Sequence, residues 1–128
     1  MHVRMDDVDV MMQIPGAVLR LKTDFGDATG YGKICGEYFS LAAGVDTTEL
    51  FQGLEGNRCQ SPHWGFVVRG RITTTDASGA QETVQARDLF YWPPGHNLHV
   101  DEDAELVMFS PQHEHMHVID HMKHKTGG

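Results

Sequence analysis

The sequence predicts an all-β protein, on three observations. Glycine, proline, asparagine and aspartate recur at short intervals along the chain and mark turns. The segments between these turns are short, as the strands of a β-sandwich or β-barrel are. After Pro62 the side chains alternate with the period of two that a strand requires, since Trp64, Phe66 and Val68 point one way and the residues between them point the other. No long stretch outside the C-terminal tail shows a convincing helical period.

The candidate strands follow from these turns. A hairpin is predicted where two β-prone runs flank residues 76–79, with Gly79 supplying the positive φ that a tight turn needs. We therefore expect two antiparallel neighbours, 64–75 and 82–86. The complete set of predicted strands is 18–22, 33–41, 64–75, 82–86, 89–92, 98–100 and 105–109.

Length and charge restrict the function classes. At 128 residues the chain fits one domain, long enough to bury one core. Its formal charge of −8, from 18 acidic and 10 basic residues, would repel a phosphate backbone, so we expect no nucleic-acid partner. The apolar stretches are far shorter than the roughly 20 residues of a membrane-spanning helix, and the first residues lack the apolar core of a signal peptide. We expect no membrane partner and a cytoplasmic protein.

Cysteine and histidine are the unusual components. Cys35 and Cys59 are too few for a disulfide scaffold, and in a reducing compartment they would stay as thiols, although a disulfide between them is the alternative. Histidine occurs nine times, and the last sixteen positions hold five of the nine: His113, His115, His117, His121 and His124.

Two segments resemble the two conserved motifs of the cupin superfamily. The first, CQSPHWGFVVRG, covers 59–70, and the second, DLFYWPPGH, covers 88–96. Within that superfamily the chain is similar to small single-domain bacterial cupins that carry Cys…Pro-His-Trp-Gly and Pro-Pro-Gly-His segments. The resemblance implies a cupin-type double-stranded β-helix, the jelly-roll barrel. It would form one domain over 1–128, with a barrel core at about 18–110 and a histidine-rich tail at 111–128.

The metal ligands that the family uses are not all present. The first motif supplies two histidines and a glutamate, and alignment on Gly70 places Asn57, Cys59 and His63 at those three positions. The second motif supplies a third histidine, and alignment on its Pro-x-Gly places Leu98 there. The resemblance therefore implies either a barrel that has lost its metal or one that holds a metal with a substituted set of ligands.

The substituted set would be Cys59, His63 and His96, with His99 as a weaker candidate. Strand alternation places His96 on the same side as Leu98, which is inward in the family alignment, and places His99 on the other side. A thiolate with two imidazoles favours Zn²⁺, with Fe, Cu, Ni and Mn as the alternatives.

These residues are compatible with three different functions. The first is a divalent-metal-dependent enzyme that acts on a small apolar or aromatic metabolite, and the resemblance implies isomerase, cyclase, lyase or dioxygenase chemistry. The second is a metal-free module that binds a small molecule in the barrel, a hypothesis that the leucine at position 98 favours. The third is metal handling by the tail, with the barrel as carrier.

The tail and the exposed strand face each carry one more prediction. In a helix, His117 and His121 would share a face and could chelate a divalent ion, but we favour a partly disordered tail that packs over the barrel mouth. Trp64, Phe66 and Val68 present a bulky apolar strip opposite the pocket residues, and pairing of two copies is the commonest way to cover such a strip. We therefore expect a homodimer.

Overall fold

Seven β-strands and one α-helix are the main elements of residues 1–30 and 32–127, the part of the chain that this computed structural model describes. Gly128, the last residue of the predicted tail, lies outside the described residues, as does Tyr31. The strands are β1 Val10–Ile14, β2 Ala17–Lys22, β3 Ile34–Leu41, β4 His63–Thr75, β5 Gln81–Gln85, β6 Leu89–Trp92 and β7 Asn97–Pro111, and the helix is α1 Gln112–Thr126.

All neighbouring strands are antiparallel. The order across the sheet is β1-β2-β3-β7-β4-β5, and β6 also pairs with β4. The long strand β7 pairs with β3 along one edge and with β4 along the other. The register between β4 and β7 shifts near Arg69 and Arg71. Such shifts mark β-bulges, which bend a strand and increase its twist.

The predicted hairpin is confirmed. Residues 71–75 of β4 pair with 81–85 of β5, and Gly79 in the turn has a φ of +87°. The Asp76 carboxylate accepts hydrogen bonds from the backbone N–H groups of Ser78 and Ala80, at 2.8 and 3.0 Å. An aspartate that binds the backbone ahead of it in this way stabilises a tight turn.

Alternation of side chains separates the core from the surface. On β2 and β3 every second residue is buried, and at the start of β4 His63 and Val67 are buried while Trp64 and Phe66 are exposed. This is the alternation that the sequence predicted. The inward side chains join one connected core cluster that includes Leu106 and Ile72.

Two strands differ from the predictions. Strand β1 was not predicted, because Val10, Met11 and Met12 are apolar in succession and lack the alternation of a half-buried strand, and its pairing with β2 defines it. The predicted strands 98–100 and 105–109 are one continuous strand, β7. Residues 101–104, which belong to none of the predicted strands, join the two, and in the sheet Glu102 lies 3.3 Å from Arg71 and Glu105 lies 3.4 Å from Arg69. Cross-strand charge pairs of this kind stabilise a sheet.

The tail is a helix, so the expectation of partial disorder was wrong. One face of α1 is buried at the helical spacing i, i+3, i+4, i+7, namely at His115, Val118, Ile119 and Met122. The helix ends at Gly127, whose left-handed conformation, with a φ of +73°, is the usual way to terminate a helix. Burial of this face in the core explains why the tail is ordered. No helix of the described residues is long and apolar enough to cross a membrane.

Candidate metal centre

Cys59, His63 and His96 lie together in the interior of the protein. Their exposed fractions are 1%, 3% and 3%. Cys59 Sγ lies 3.5 Å from His63 Nε2, and one ligand atom from each of the three side chains lies within 4.8 Å of the others. The structure therefore brings together the three residues that the sequence singled out as one site.

Backbone pairing holds these three residues in place. Cys59 N donates to His96 O at 2.9 Å, and Gly95 N donates to Cys59 O at 2.7 Å, so the loop before β4 and the turn after β6 are joined. His63 is the first residue of β4 and pairs with Trp92, the last residue of β6. The site is thus built where the ends of two paired strands meet the Pro-Pro-Gly turn.

A hydrogen bond determines which ring nitrogen of His96 carries the hydrogen and which carries the lone pair. Its Nδ1 lies 2.7 Å from the carbonyl oxygen of Pro93. A carbonyl only accepts, so Nδ1 carries the hydrogen and Nε2 carries the lone pair. Histidines that bind metals are usually oriented by such a bond from the other ring nitrogen.

Burial keeps the side chains of the site neutral. It holds the pKa of His63 well below its usual value, an effect that the neighbouring His115 and His96 increase. Burial also lowers the pKa of His96, and it raises the pKa of the Cys59 thiol to about 12. A bound cation would supply the charge that a thiolate needs at this position.

One distance in the group, between Cys59 Sγ and His63 Nε2, equals the distance between two ligands of a zinc ion. In a tetrahedral site with a Zn–S distance of about 2.3 Å and a Zn–N distance of about 2.0–2.1 Å, the sulfur and nitrogen lie about 3.5 Å apart. Cys59 Sγ and His63 Nε2 are separated by 3.5 Å. A thiolate with two imidazoles would leave one coordination position for a substrate or water, as in catalytic zinc sites.

A small apolar cavity adjoins this group. Its volume is about 60 Å³, enough for a few water molecules or one end of a ligand. A larger open cleft of about 350 Å³ lies beside it, and the two share Trp92 and His96 as lining residues. Apolar side chains line most of the cavity, including Met12, Leu19, Phe39, Leu41, Leu50, Phe51, Leu98, Met108 and Met122.

A second buried group, which the sequence analysis missed, lies next to the first. It consists of Cys35, Glu37 and His115, and the rings of His115 and His63 are centred 4.4 Å apart. Both His115 Nδ1 and Cys35 Sγ bond directly to Glu37 Oε1, the latter at 3.4 Å. Glu37 Oε1 thus has two donors of its own within the group. One signal for the group was visible, since Glu37 is the only charged residue in the apolar strand β3.

The other histidine candidates are not part of either group. His99 is exposed and bonds to Asp46 at 3.2 Å, in agreement with its predicted outward direction. On α1, His117 is exposed and His121 Nε2 bonds to the carbonyl of Gln52 at 2.9 Å. Within the described residues, neither His117 nor His121 belongs to a group of three metal-binding side chains.

Solved structures identify the fold of the chain. It is similar to an RmlC-like cupin from Shewanella frigidimarina, with 13% identity, coverage of 89% of this chain and 93% of that one, and a TM-score of 0.58. It is also similar to the polyketide cyclase RemF from Streptomyces resistomycificus, with 16% identity, coverage of 87% and 78%, and a TM-score of 0.56. The chain therefore has the cupin fold, a jelly-roll β-barrel, as the sequence predicted.

A longer enzyme contains the same architecture. The oxalate decarboxylase of Lactobacillus farciminis shares 18% identity, with coverage of 83% of this chain but 31% of that one, and a TM-score of 0.56. The chain thus spans less than a third of that enzyme. No protein-family model and no curated protein matches the sequence.

Proposed function

We propose that this protein is a divalent-metal-dependent enzyme that acts on a small apolar or aromatic metabolite, with Cys59, His63 and His96 as the metal ligands. The observation that carries the proposal is the convergence of these three side chains beside an apolar cavity. Zinc is the first choice because the group combines a soft sulfur with two imidazoles, and Fe, Cu, Ni and Mn are the alternatives.

The reaction class is one of those that the cupin fold supports. The similar structures include a polyketide cyclase and an oxalate decarboxylase. We infer isomerase, cyclase, lyase or dioxygenase chemistry. When bound, the ion would polarise a carbonyl group of the substrate or activate a water molecule.

The residues of the chain would orient the substrate and exclude water from it. A metabolite is larger than the 60 Å³ cavity, so its reactive end would enter the cavity while the remainder lies in the cleft beyond Trp92 and His96. The buried indole N–H of Trp92 has no acceptor among the described residues. Trp92 lines both the cavity and the cleft, and we propose a substrate oxygen as the acceptor for this N–H, since a buried N–H without a partner is costly.

The first test measures bound metal. We expect about one zinc per chain in protein incubated with Zn²⁺ and then dialysed, and His63→Gln should remove most of it because two ligands are too few. His117→Gln is the control, since His117 is an exposed histidine of α1. Elemental analysis gives the metal content, and circular dichroism verifies the fold. Equal metal contents in His63→Gln and the wild type would refute the assignment.

The alternative function is a metal-free module that binds a small molecule. Leu98, where the family motif has a histidine, lines the cavity and supplies no ligand atom. If protein without metal binds the same small molecules with the same affinity as zinc-loaded protein, then His63 and His96 serve only as hydrogen-bonding groups.

We also propose that the protein is a cytoplasmic homodimer. The side chains of Trp64, Phe66 and Val68 are 49%, 38% and 39% exposed on one face of β4. Tyr91 stacks on Trp64 with ring centroids 5.2 Å apart and extends the apolar strip onto β6. The two cysteines are free, which supports a reducing compartment.

Light scattering tests the dimer. At concentrations on the order of tens of micromolar, we expect twice the mass of one chain for the wild type. Trp64→Lys should give the mass of one chain, because a charge at the centre of the strip opposes pairing. Val10→Lys changes an exposed apolar residue of the distant strand β1 and should leave the dimer intact. A monomeric wild type would contradict the proposal.

A further inference from the structure

The carboxylate of Glu37 is a buried acceptor with three donors from three elements. The side chain has 0% exposure. Its Oε1 accepts from Cys35 Sγ at 3.4 Å, on the same strand, and from His115 Nδ1 on α1. Its Oε2 accepts from Ser110 Oγ on β7 at 2.9 Å. An ionised carboxylate cannot donate, so Glu37 accepts the hydroxyl hydrogen of Ser110 and the ring N–H of His115, whereas the Cys35 thiol also lies 3.5 Å from the carbonyl oxygen of Ser110.

The hydrogen bond from Ser110 to Glu37 determines how Ser110 can bond to His63. The serine hydroxyl has a single hydrogen, which it donates in the hydrogen bond to Glu37 Oε2. Ser110 Oγ also lies 2.6 Å from His63 Nδ1, so in this contact the hydroxyl must accept and the ring nitrogen must donate. His63 therefore carries its hydrogen on Nδ1. The lone pair on Nε2 then faces Cys59 Sγ, 3.5 Å away.

We propose that Glu37 is a positioning residue that acts through Ser110 to hold His63 in the form with a free Nε2. The metal-binding part of this inference rests on the proposed function. The tautomer of His63, with its hydrogen on Nδ1, does not. The Glu37 relay, defined as His115, Glu37, Ser110 and His63, also connects the terminal helix to the site. The helix is thus part of the structure that supports the ligands.

Nitrogen NMR of metal-free wild-type protein tests the relay directly. We expect the ring of His63 to show hydrogen on Nδ1 and a bare Nε2 in two-bond ¹H–¹⁵N correlation spectra. A His63 ring with its hydrogen on Nε2 would overturn the proposal. This measurement uses the wild type alone, so it decides the question even if a variant fails to fold.

A matched pair of variants tests the consequence for metal binding. Ser110→Ala removes the link between Glu37 and His63, and we expect Zn²⁺ affinity to fall about 10- to 100-fold, as for other groups that orient a ligand. The His63 ring should also lose its preference for hydrogen on Nδ1. Cys35→Ala removes a different donor to Glu37, one that does not contact His63, and should change neither result.

The two proposals can fail separately. If His63 has the expected form but wild-type protein binds no zinc, the relay is supported and the metal-dependent function is wrong. If Cys35→Ala and Ser110→Ala reduce zinc affinity equally, the effect is a general disturbance of the core and the positioning role of Glu37 is refuted.

Discussion

Gly70→Ala is expected to lower the free energy of unfolding by more than about 4 kcal/mol, a large part of the roughly 5–15 kcal/mol that stabilises a typical domain. Gly70 lies in β4 with a φ of +90°. A Cβ there would lie 2.2 Å from the carbonyl oxygen of Asp103 and 2.6 Å from the Cα of Ala104. Both atoms are backbone atoms of β7, so the pairing of the two longest strands would have to shift.

Gly79→Ala is the matched control for this prediction. Gly79 has a φ of +87°, almost the same as Gly70, but a Cβ at this position would meet no atom of the described residues within 4 Å, its own chain neighbours apart. Alanine there should cost only about 1–2 kcal/mol, the conformational cost of a left-handed residue. Chemical denaturation of both variants measures the difference. Equal losses would show that the close approach of β7 does not determine the cost at Gly70.

Cys59→Ser is expected to reduce zinc affinity by more than about 100-fold, beyond the upper end of what groups that only orient a ligand contribute. A serine hydroxyl is close in shape to the thiol but does not supply the soft thiolate that favours zinc. Titration with Zn²⁺ against a competing chelator measures the affinity. The metal-free variant should fold as the wild type does, since the replacement is nearly isosteric.

Cys35→Ser is the control for Cys59→Ser. Cys35 is also buried, and it lies in a group with Glu37 and His115, whose side chains are of types that bind metals. Because Glu37 already bonds directly to its neighbours, we expect this variant to keep wild-type zinc affinity and a stoichiometry of about one. A second zinc per chain that Cys35→Ser removes would show that the Cys35 group binds metal as well.

Part of the candidate site could be predicted because its residues lie in local patterns. Cys59 and His63 lie at motif positions counted back from Gly70, and His96 follows the Pro-Pro-Gly turn. Glu37 was also detectable, since an isolated acid on the inward side of a strand must find partners when it is buried. Whether these side chains bind a metal stays a prediction.

Local sequence was enough to predict the alternation of the strands, the β4–β5 hairpin and the all-β class, because side-chain period and turn chemistry are properties of short segments, while the jelly-roll barrel was implied by the resemblance to cupins. The order of the tail and the set of residues that surround the site depend instead on contacts between distant parts of the chain. Ser110 and His115 reach Glu37 from 73 and 78 residues away. Which atom donates and which accepts depends on where three separate elements place their side chains, and no local pattern specifies that arrangement.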